Sequence, residues 1–475
     1  MKKLTAIAAL LTIGWTIMSQ ATDQTGDQMT VSMIVRGDYV VTMEQGKIIE
    51  NGAVAVDQGK ILAVGTAEDI LKQYSADQVI SGSGKILMPG LVNGHTHTSM
   101  TLMRGLADDL KLMDWLTGYI FPMEGQFVDP DFIKTGSELA CYEMIRSGTT
   151  TFVDMYFYPD TIAEVVDQCG MRAVITAPMI DFPSPGFKGW EDSYQAGVDF
   201  AKRWKNKHPR ITPGLAPHAP YTVSPEHLKQ AADTARELGV PMSVHVAEDK
   251  SETKTIGEKY GKTPVSHVAD QGYFNVPEQV IAAHVVWPTN DEIKAMVGKP
   301  FGPIHNPTSN MKLAAGLSPV PDMIKAGVHV GLGTDGAASN NDLDMWGEIH
   351  LAALLHKNAA DDPTVMPAYD AVSLATNSGA HAIGKGAEIG SLKAGKFADM
   401  IQIDISKLEM QPLYNVMSHL AYTASGADVV TTIVHGKVLM QDRKVLTINS
   451  ADLKARVTAK ANAIKAAIDK KKDEK

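Results

Sequence analysis

The chain has 475 residues, of which 44% are hydrophobic and 21% are charged, and its formal net charge is −10. These proportions are typical of a globular protein with a large core, and the acidic balance argues against a nucleic-acid-binding surface. The length exceeds one ordinary domain, but it accommodates an α/β barrel of about 250 residues or more together with a smaller domain.

Residues 1–21 have the organisation of a secretory signal peptide. Met1-Lys2-Lys3 precedes an apolar stretch, Leu4–Met18, and the small residues Ser19 and Ala21 stand at positions −3 and −1 of a cleavage site after Ala21. A membrane anchor needs a longer run of about 20 apolar residues. We therefore expect cleavage, export to a bacterial periplasm, and a mature protein without a membrane anchor.

Residues 22–85 are predicted to form the first part of a small β-domain. They contain short strands that alternate with turn residues, and Asp57-Gln58-Gly59-Lys60 is typical of a hairpin turn between two of these strands. The predicted strands are Val31–Val35, Tyr39–Met43, Gly52–Val56 and Ile61–Gly65.

Residues 86–385 alternate apolar strands with helical segments, which indicates a parallel sheet with crossover helices. Eight strands is the number in a (β/α)8 barrel, where catalytic residues lie at the carboxyl ends of the strands. A doubly wound open sheet is the alternative, but it would not bring the first and eighth strands together. Ser224-Pro225 marks the start of one helix. The predicted strands are Ile86–Asn93, Thr150–Asp154, Arg172–Ala177, Ile211–Ala216, Pro241–Val246, Val280–Val285, Pro300–Ile304 and Val328–Gly333, and the predicted helices include Phe132–Ser147, Tyr194–Lys207, Pro225–Leu238 and Pro319–Ala326.

Residues 386–450 return to the strand-and-turn pattern, with strands at Asp399–Ile405, Val429–His435 and Lys437–Met440 and a turn at Gly436-Lys437. Because β-rich segments flank the long middle on both sides, we expect the two ends to build one composite β-sandwich domain. Residues 451–475 have helical spacing and are predicted to be a surface helix that frays into solvent.

The chain has two cysteines, Cys141 and Cys169. Export permits a disulfide between them, but its geometry cannot be deduced from sequence. Both residues fall in predicted helices, and we favour two free, buried thiols.

Polar residues follow the predicted strands at the same relative position. His95 and His97 lie at i and i+2 of an extended segment and so point to the same side. Neutral imidazole is the commonest metal ligand. Together with His245, His284 and Asp335, which follow three later strands, they offer a set of ligands that suits Zn²⁺ and leaves room for a water. The fourth strand end carries His218, the fifth carries Glu248 three residues after His245, and the seventh carries His305 and Asn306.

Each of these residues also has a structural interpretation. His218 could cap a loop, His245 could be a core histidine, and Asp335, before Gly336, could belong to a turn. The shared position relative to the strands favours the metal site. The histidines without that placement are predicted to be structural or surface residues, namely His208, His227, His267, His329, His350, His356, His381, His419 and His435.

Over nearly the whole mature sequence, these motifs resemble the amidohydrolase superfamily. The closest subgroup is the methylthioadenosine/S-adenosylhomocysteine deaminases, with chlorotriazine hydrolases and guanine-type deaminases as near relatives. The segments that carry the resemblance are Pro89–His97, His245–Glu248, Ala283-His284, His305–Asn310, Gly333–Asn341 and Gly390–Asp399.

The resemblance implies a mononuclear metal site with His95, His97, His245 and Asp335 as ligands and His284 beside the bound water. Dinuclear members use a carboxylated lysine from a middle strand, and the second, third and fourth predicted strands contain no lysine. We expect one divalent ion, Zn²⁺ by preference, although the ligands also suit Fe²⁺. A homodimer is a further expectation from resemblance.

The resemblance also implies hydrolytic deamination of an aminopurine nucleoside. In this hypothesis Asp335 takes the proton of the water, His284 orients the water, and Glu248 protonates the ring nitrogen beside the carbon under attack. Glu124 resembles the glutamate that binds ribose hydroxyls, and His218 resembles a histidine near the nucleoside. The ring of Trp115 could contact a base or thioether, or equally belong to a helix core.

One stretch departs from the family. The related deaminases often carry arginines after the third strand to hold a substrate carboxylate, whereas residues 179–190 here contain Lys188 but no arginine. S-Adenosylhomocysteine is therefore a weaker expectation than methylthioadenosine or adenosine. The segments Asp108–Gln126 and Phe182–Ser193 are predicted to cover the pocket.

Two other functions compete with this interpretation. The first is hydrolysis of another C–N or C–halogen bond on a heteroaromatic ring, as in triazine hydrolases. Fold and motif do not separate the two reactions, although the acid Glu248 favours deamination. The second is a non-catalytic periplasmic metal- or solute-binding protein, against which Glu248, His284 and Asp335 argue together.

Overall fold

The computed structural model describes residues 28–473, and the side chains as far as residue 469. The predicted signal peptide, residues 1–21, lies outside the described residues. Between residues 28 and 473, no helix is both long enough and apolar enough to cross a membrane.

The strands form two sheets, and the helices connect and cover them. The strands are β1 (Met29–Val41), β2 (Ile48–Asp57), β3 (Lys60–Thr66), β4 (Tyr74–Ile80), β5 (Lys85–Pro89), β6 (Leu91–Thr96), β7 (Thr149–Met155), β8 (Arg172–Met179), β9 (Ile211–Pro217), β10 (Met242–Val246), β11 (Val280–His284), β12 (Phe301–His305), β13 (Gly331–Leu332), β14 (Met400–Asp404), β15 (Val429–Val434), β16 (Lys437–Gln441) and β17 (Lys444–Val445). The α-helices are α1 (Ala67–Gln73), α2 (Leu112–Trp115), α3 (Phe121–Phe127), α4 (Pro130–Ser147), α5 (Pro159–Cys169), α6 (Trp190–Trp204), α7 (Pro225–Leu238), α8 (Lys250–Tyr260), α9 (Pro264–Asp270), α10 (Asn290–Met296), α11 (Pro307–Lys312), α12 (Val320–Ala326), α13 (Ala337–Asn340), α14 (Met345–Ala360), α15 (Ala368–Leu374), α16 (Asn377–Ala382), α17 (Val416–Tyr422) and α18 (Ser450–Asp473). Short 3₁₀ segments occur at Thr98–Met103, Tyr273–Asn275, Leu408–Met410 and Gly426–Asp428, and a π-helical turn at Leu116–Ile120.

Strands β6 to β13 form a parallel sheet in chain order, and every residue of β8 and β11 is buried because helices cover the outer face. The sheet curls until its first and last strands meet. The Asp335 amide donates to the His95 carbonyl at 3.0 Å, and Asn93 Nδ2 donates to Thr334 Oγ1 at 2.8 Å. Gly333 permits this approach, since a Cβ there would lie 2.8 Å from the His95 nitrogen. The predicted (β/α)8 barrel is confirmed.

The other sheet has nine strands, β1 to β5 from the N-terminal side and β14 to β17 from the C-terminal side. Its two halves join where β14 runs antiparallel to β5, with Ile401 opposite Met88. The predicted composite β-domain is therefore built from both ends of the chain, as one continuous sheet. A buried ion pair connects this domain to the barrel, because Arg172 Nε of β8 donates to Asp399 Oδ2 at 2.6 Å.

The first predicted barrel strand, Ile86–Asn93, is wrong as a single element. Residues 85–89 form β5 of the composite sheet, and residues 91–96 form β6 of the barrel. The chain changes sheets at Gly90, where a Cβ would lie 2.1 Å from Thr150 Cγ2. The barrel therefore begins at Leu91. An apolar run gives no sign of this change, because both strands are buried.

Three further elements differ from expectation. Val31–Val35 and residues 39–41 belong to one long strand, β1, because its register with β2 is the same before and after Gly37, which lies opposite Gly52. The eighth barrel strand shortens to β13. The C-terminal helix α18 packs on α4 through the buried side chains of Leu453 and Ile464, and Arg456 Nη2 donates to Glu138 Oε2 at 2.7 Å.

Local signals set several helix boundaries. Helix α7 begins as predicted, with the Ser224 hydroxyl accepting from the His227 amide and Pro225 in the first turn.

Cys141 of α4 and Cys169 of α5 are buried free thiols whose sulfur atoms lie 2.7 Å apart.

Candidate active site

Four metal-ligating side chains meet at the carboxyl end of the barrel. His95 and His97 come from the end of β6, His245 from β10, and Asp335 follows β13. The Nε2 atom of His245 lies 3.1 Å from Nε2 of His95 and 3.3 Å from Nε2 of His97. The Oδ1 atom of Asp335 lies 3.4 Å and 3.2 Å from the same two nitrogens. Residues far apart in sequence thus place four donor atoms in one cluster.

Hydrogen bonds from the opposite ring nitrogens fix two of these imidazoles. Nδ1 of His97 lies 2.6 Å from the Met155 carbonyl oxygen, and Nδ1 of His245 lies 3.0 Å from the His218 carbonyl oxygen. A carbonyl oxygen only accepts, so each Nδ1 carries the proton and donates it. The Nε2 lone pairs therefore face the cluster, which is the arrangement of metal-binding histidines.

The geometry of the cluster fits one divalent cation. Nitrogen and oxygen ligands bind Zn²⁺ at about 2.0–2.2 Å in a tetrahedral arrangement, which separates neighbouring donor atoms by about 3.3 Å. The four distances between donor atoms of the cluster, 3.1, 3.3, 3.4 and 3.2 Å, have this size. The donors are imidazole and carboxylate, which suit Zn²⁺ and Fe²⁺ alike. Of the described residues, those that could share one ion form two overlapping groups, His95–His97–His245 and His95–His284–Asp335.

The carboxylate of Asp335 is held from behind. Its Oδ1 atom faces the histidines and accepts from the Gly336 amide at 2.8 Å. Its Oδ2 atom accepts from the hydroxyls of Ser309 at 2.7 Å and Ser339 at 2.8 Å. These bonds leave Oδ1 as the oxygen directed toward a cation or its water.

The ionisation of the cluster follows from burial and from Asp335. Burial lowers the pKa of His95 to about 4, although Asp335 acts in the opposite direction. Burial also opposes protonation of His97, but its hydrogen bond and charge interaction with Asp335 prevail and raise its pKa to about 9. Burial acts to raise the pKa of Asp335, yet the hydrogen bonds from His95 and His97 hold it well below its usual value. A cation that binds here replaces the proton of His97.

His284 and Glu248 lie beside the cluster. Nδ1 of His284 is 2.9 Å from Asn310 Oδ1, and its Nε2 is 3.7 Å from Glu248 Oε1. The backbone amide of Glu248 donates to Oε2 of Glu252 at 2.7 Å. This hydrogen bond holds the backbone at Glu248 in place. Burial, and next the negative charge of Asp335, raise the pKa of Glu248 well above its usual value. This shift favours the protonated form of Glu248.

A pocket leads to these residues. Helices α2 and α3 cover it, as predicted for segment 108–126. Glu124 of α3 is buried in its wall, and Oε1 accepts from the Tyr156 hydroxyl at 2.8 Å. Burial raises the pKa of Glu124 to about 7, and the Tyr156 hydrogen bond opposes this rise.

His218 and Trp115 line the same pocket. The ring of His218 lies 4.7 Å from that of His245, and its Nδ1 is 3.0 Å from Thr222 Oγ1. Burial, followed by the charges of neighbouring histidines, lowers the pKa of His218 to about 3, so the ring is neutral. Trp115 is only 6% exposed and contributes an apolar wall.

The backbone of the site adopts uncommon conformations. Ala247, His284 and Asp335 have φ values of 52°, 73° and 62°, in the left-handed region that residues with a Cβ rarely occupy. These residues follow the ends of β10, β11 and β13. Such strain is typical of functional sites, and here it directs side chains into the pocket at the point where each strand ends.

All the predicted site residues except His95 line one pocket, and His95 is fully buried next to it, in contact with His245. Tyr156, Ser309, Ser339 and Glu252 are supporting residues to which the sequence analysis gave no role. Tyr156 follows the carboxyl end of β7, so the rule used for the other strand ends could have identified it. The two serines lie within the quoted motifs, but only the fold places them behind Asp335. His305 lies outside both groups of candidate ligands and faces His356, with ring centres 5.2 Å apart.

Comparisons with known proteins agree with this geometry. Residues 86–439 match the model of the amidohydrolase family, and residues 52–74 match an imidazolonepropionase-like composite domain of bacteria. The chain is 42% identical over 433 residues to a 5-methylthioadenosine/S-adenosylhomocysteine deaminase of Syntrophobacter fumaroxidans, which covers 91% of this chain and 98% of the relative. It is 44% identical over 419 residues to a 5'-deoxyadenosine deaminase of Methanosarcina mazei, covering 88% of this chain and 94% of the relative.

A solved structure is also similar. The crystal structure of an adenosine deaminase from Xanthomonas campestris with bound zinc superposes with a TM-score of 0.90 at 36% identity, covering 92% of this chain and all of that one.

Proposed function

The chain belongs to the amidohydrolase family, and we propose that it is a hydrolytic deaminase that exchanges the ring amino group of an aminopurine nucleoside for oxygen and releases ammonia. The substrate is of the 5'-methylthioadenosine, adenosine or S-adenosylhomocysteine type, since relatives of this chain carry such activities in their names. The observation that carries the proposal is the position of Glu248, a buried acid 3.7 Å from His284 and next to the ligand cluster.

His95, His97, His245 and Asp335 would hold one divalent cation. When bound, such an ion lowers the pKa of a coordinated water to about 7 and so makes the nucleophile available at neutral pH. Side chains of the protein accept and donate the protons of the reaction. Oδ1 of Asp335 accepts the proton of the water, because Oδ2 already accepts from two serine hydroxyls. Nε2 of His284 orients the water by a hydrogen bond.

Glu248 supplies the acid on the substrate side. Burial raises the pKa of its carboxyl group and so favours the protonated form. In this form it donates to the ring nitrogen adjacent to the amino-bearing carbon and prevents negative charge from building up there. As the C=O bond forms, the Glu248 carboxylate takes the second proton of the attacking water. Asp335 passes the first proton to the leaving amino group, so the C–N bond breaks with release of ammonia and both carboxyl groups return to their starting states. The balance is one water consumed and one ammonia released, with no net change in charge.

Glu124 binds the sugar. An ionised carboxylate accepts two hydroxyl hydrogen bonds, and Glu124 lies in the pocket wall with one oxygen held by Tyr156. The ring of Trp115 and the neutral imidazole of His218 complete the walls around the nucleoside. We infer that the purine binds near Glu248 and the ribose near Glu124.

We propose Zn²⁺ as the native ion. Support comes from the tetrahedral spacing of the donor atoms and from the zinc in a similar deaminase. Removal of the metal with a chelator should abolish turnover. Zn²⁺ should restore the rate in proportion to occupancy, and a higher rate per bound ion with Fe²⁺ would contradict the choice of zinc.

We further propose that residues 1–21 are removed as a secretory signal and that the mature enzyme works in the periplasm. The order of Met1-Lys2-Lys3, Leu4–Met18 and Ala21 supports this. Expression of the full chain in a Gram-negative host should give a periplasmic protein whose mass is that of a chain beginning at Thr22. A full-length cytoplasmic product would contradict the proposal.

A homodimer is proposed on family resemblance, and light scattering of the purified protein measures its mass directly. A mass of one chain would contradict it.

The test of the activity is ammonia release by the zinc-loaded protein. The substrates are 5'-methylthioadenosine, S-adenosylhomocysteine, adenosine, guanine and an aminotriazine. Release from an adenine nucleoside at the highest kcat/KM supports the proposal. Release only from guanine or the triazine, with zinc bound, would overturn it in favour of another heteroaromatic substrate.

A further inference from the structure

A second cavity adjoins the catalytic pocket. The two cavities share Phe121, Glu124, Phe157 and Ile180 as a common wall. Beyond that wall the second cavity is bounded by residues 182–186, in the loop that follows β8. We call this cavity the vestibule, and Phe182, Pro183, Ser184 and Pro185 define its outer side.

Glu124 lies between the catalytic pocket and the vestibule. Glu248 and the ligand cluster lie in the catalytic pocket, the vestibule lies on the other side, and Glu124 lines both. A nucleoside with its purine at Glu248 and its ribose hydroxyls on Glu124 would therefore have its 5' substituent next to the vestibule.

The walls of the vestibule are apolar. Three phenylalanine rings and two prolines contribute to them, and the rings of Phe121 and Phe182 lie 5.9 Å apart across its edge. No lysine or arginine is among the residues that line either cavity in the described part of the chain. Lys188, the cation nearest in sequence to the vestibule loop, is exposed and does not contribute to the lining.

The charge of the vestibule therefore disfavours a charged substituent. A carboxylate in the vestibule lies against apolar walls that offer it no cationic partner, so any water that it loses there is not replaced by a charged contact. It also approaches the carboxylate of Glu124, the acidic side chain of this wall. A thioether or a hydrocarbon group loses little on the same transfer and gains contact with the aromatic rings.

We propose that the vestibule is the subsite for a neutral, apolar 5' substituent. The enzyme accordingly selects nucleosides such as 5'-methylthioadenosine and 5'-deoxyadenosine, and discriminates against the zwitterionic side chain of S-adenosylhomocysteine. The inference rests on the proposed function, because it assumes deamination of an adenine nucleoside at the metal centre.

The first test separates charge from size. It compares kcat/KM for 5'-methylthioadenosine, 5'-butylthioadenosine and S-adenosylhomocysteine, of which the second has a long but neutral substituent. We expect the butylthio compound to fall within about tenfold of the methylthio compound, and S-adenosylhomocysteine to be roughly 100-fold worse. Equal values for all three compounds would overturn the inference and leave the proposed function intact. Absence of turnover with every adenine nucleoside would instead overturn the proposed function.

A second test locates the subsite. The backbone of Ser184 exchanges hydrogen bonds with that of Phe187 at 3.1 Å and 2.9 Å, so the turn does not depend on the serine side chain. Ser184→Arg adds a cation to the vestibule, and Ser184→Met adds similar length without charge. We expect the arginine variant to raise kcat/KM for S-adenosylhomocysteine at least about tenfold and the methionine variant to leave it low. Equal effects of the two substitutions would overturn the assignment.

Discussion

The hydroxyl of Ser309 lies 2.7 Å from Oδ2 of Asp335, behind the carboxylate oxygen that faces His95 and His97. Ser339 donates to the same Oδ2 atom at 2.8 Å. Asp335 stands in a backbone conformation with φ of 62°, so its side-chain direction depends on these contacts. The two serines thus determine which oxygen Asp335 presents to the metal site.

This relationship predicts the behaviour of serine variants. Ser309→Ala removes one hydrogen bond, and Ser309→Ala with Ser339→Ala removes both. Loss of such supporting bonds typically weakens metal binding or activity 10- to 100-fold, so we expect roughly tenfold weaker zinc binding in the single variant and a larger loss in the double variant. Zinc affinity is measured by competition with a chromogenic chelator. Ser147→Ala, which removes a buried hydroxyl of α4, is the control, and an unchanged affinity in the double variant would count against the role.

Glu124 and Tyr156 predict a pH-dependent KM. The pKa of Glu124 is about 7, because burial raises it while the Tyr156 hydroxyl opposes the rise. Since the ionised form accepts ribose hydroxyls, KM should fall as the pH rises through this value. Tyr156→Phe removes the stabilising donor, so the pKa rises and the fall in KM moves to higher pH.

The measurement for this pair is KM against pH for the wild type and Tyr156→Phe. A 2',3'-dideoxyadenosine substrate serves as the control. Because it lacks the ribose hydroxyls, its KM should not fall as the pH rises through the pKa of Glu124. Tyr194→Phe, whose hydroxyl contacts Thr234 on the outer helices, is the matched variant. An identical pH profile in wild type and Tyr156→Phe would contradict the role of Glu124.

Glu252 predicts a pH dependence of stability. It is 3% exposed, and burial raises its pKa from 4.5 to about 8. Between these values the folded protein holds a proton that the unfolded chain has released, so the free energy of unfolding falls as the pH rises. The slope from one such group is at most about 1.4 kcal/mol per pH unit. Glu252→Gln cannot ionise and should flatten the dependence.

Urea unfolding of the metal-free protein at pH 5.5, 6.5 and 7.5 measures this slope. Glu226→Gln, on the exposed face of α7, controls for the loss of a carboxylate and should keep the wild-type slope. If Glu252→Gln and the wild type lose stability in parallel, the raised pKa of Glu252 is not the cause.

Much of the barrel and its ligands could be predicted from the sequence. Parallel strands covered by helices appear as short apolar runs, and residues such as His245 and Asp335 follow those runs directly. The change of sheet at Gly90 could not be predicted, because strands on both sides of it are buried and apolar. It depends on the contact between Gly90 and Thr150, which only the assembled fold contains.

The contacts that support the site were harder to predict from the sequence, because they too depend on the assembled fold. Ser309 and Ser339 are small polar residues in loops, and nothing local distinguishes them from capping residues. Their contact with Asp335 depends on the left-handed backbone at Asp335 and on the closure of the barrel between β6 and β13. Glu252 has the spacing of an ordinary helix residue. Its importance comes from burial against the Glu248 segment.

The central claim is that Glu248 is the proton donor for deamination at a metal-loaded site. Its most direct test is the rate of ammonia release from 5'-methylthioadenosine by wild type and Glu248→Gln, each with its zinc content measured in the same sample. We predict equal zinc content and a rate about 10²- to 10⁴-fold lower in the variant, the range for loss of a general acid. Equal rates at equal zinc content would contradict the account.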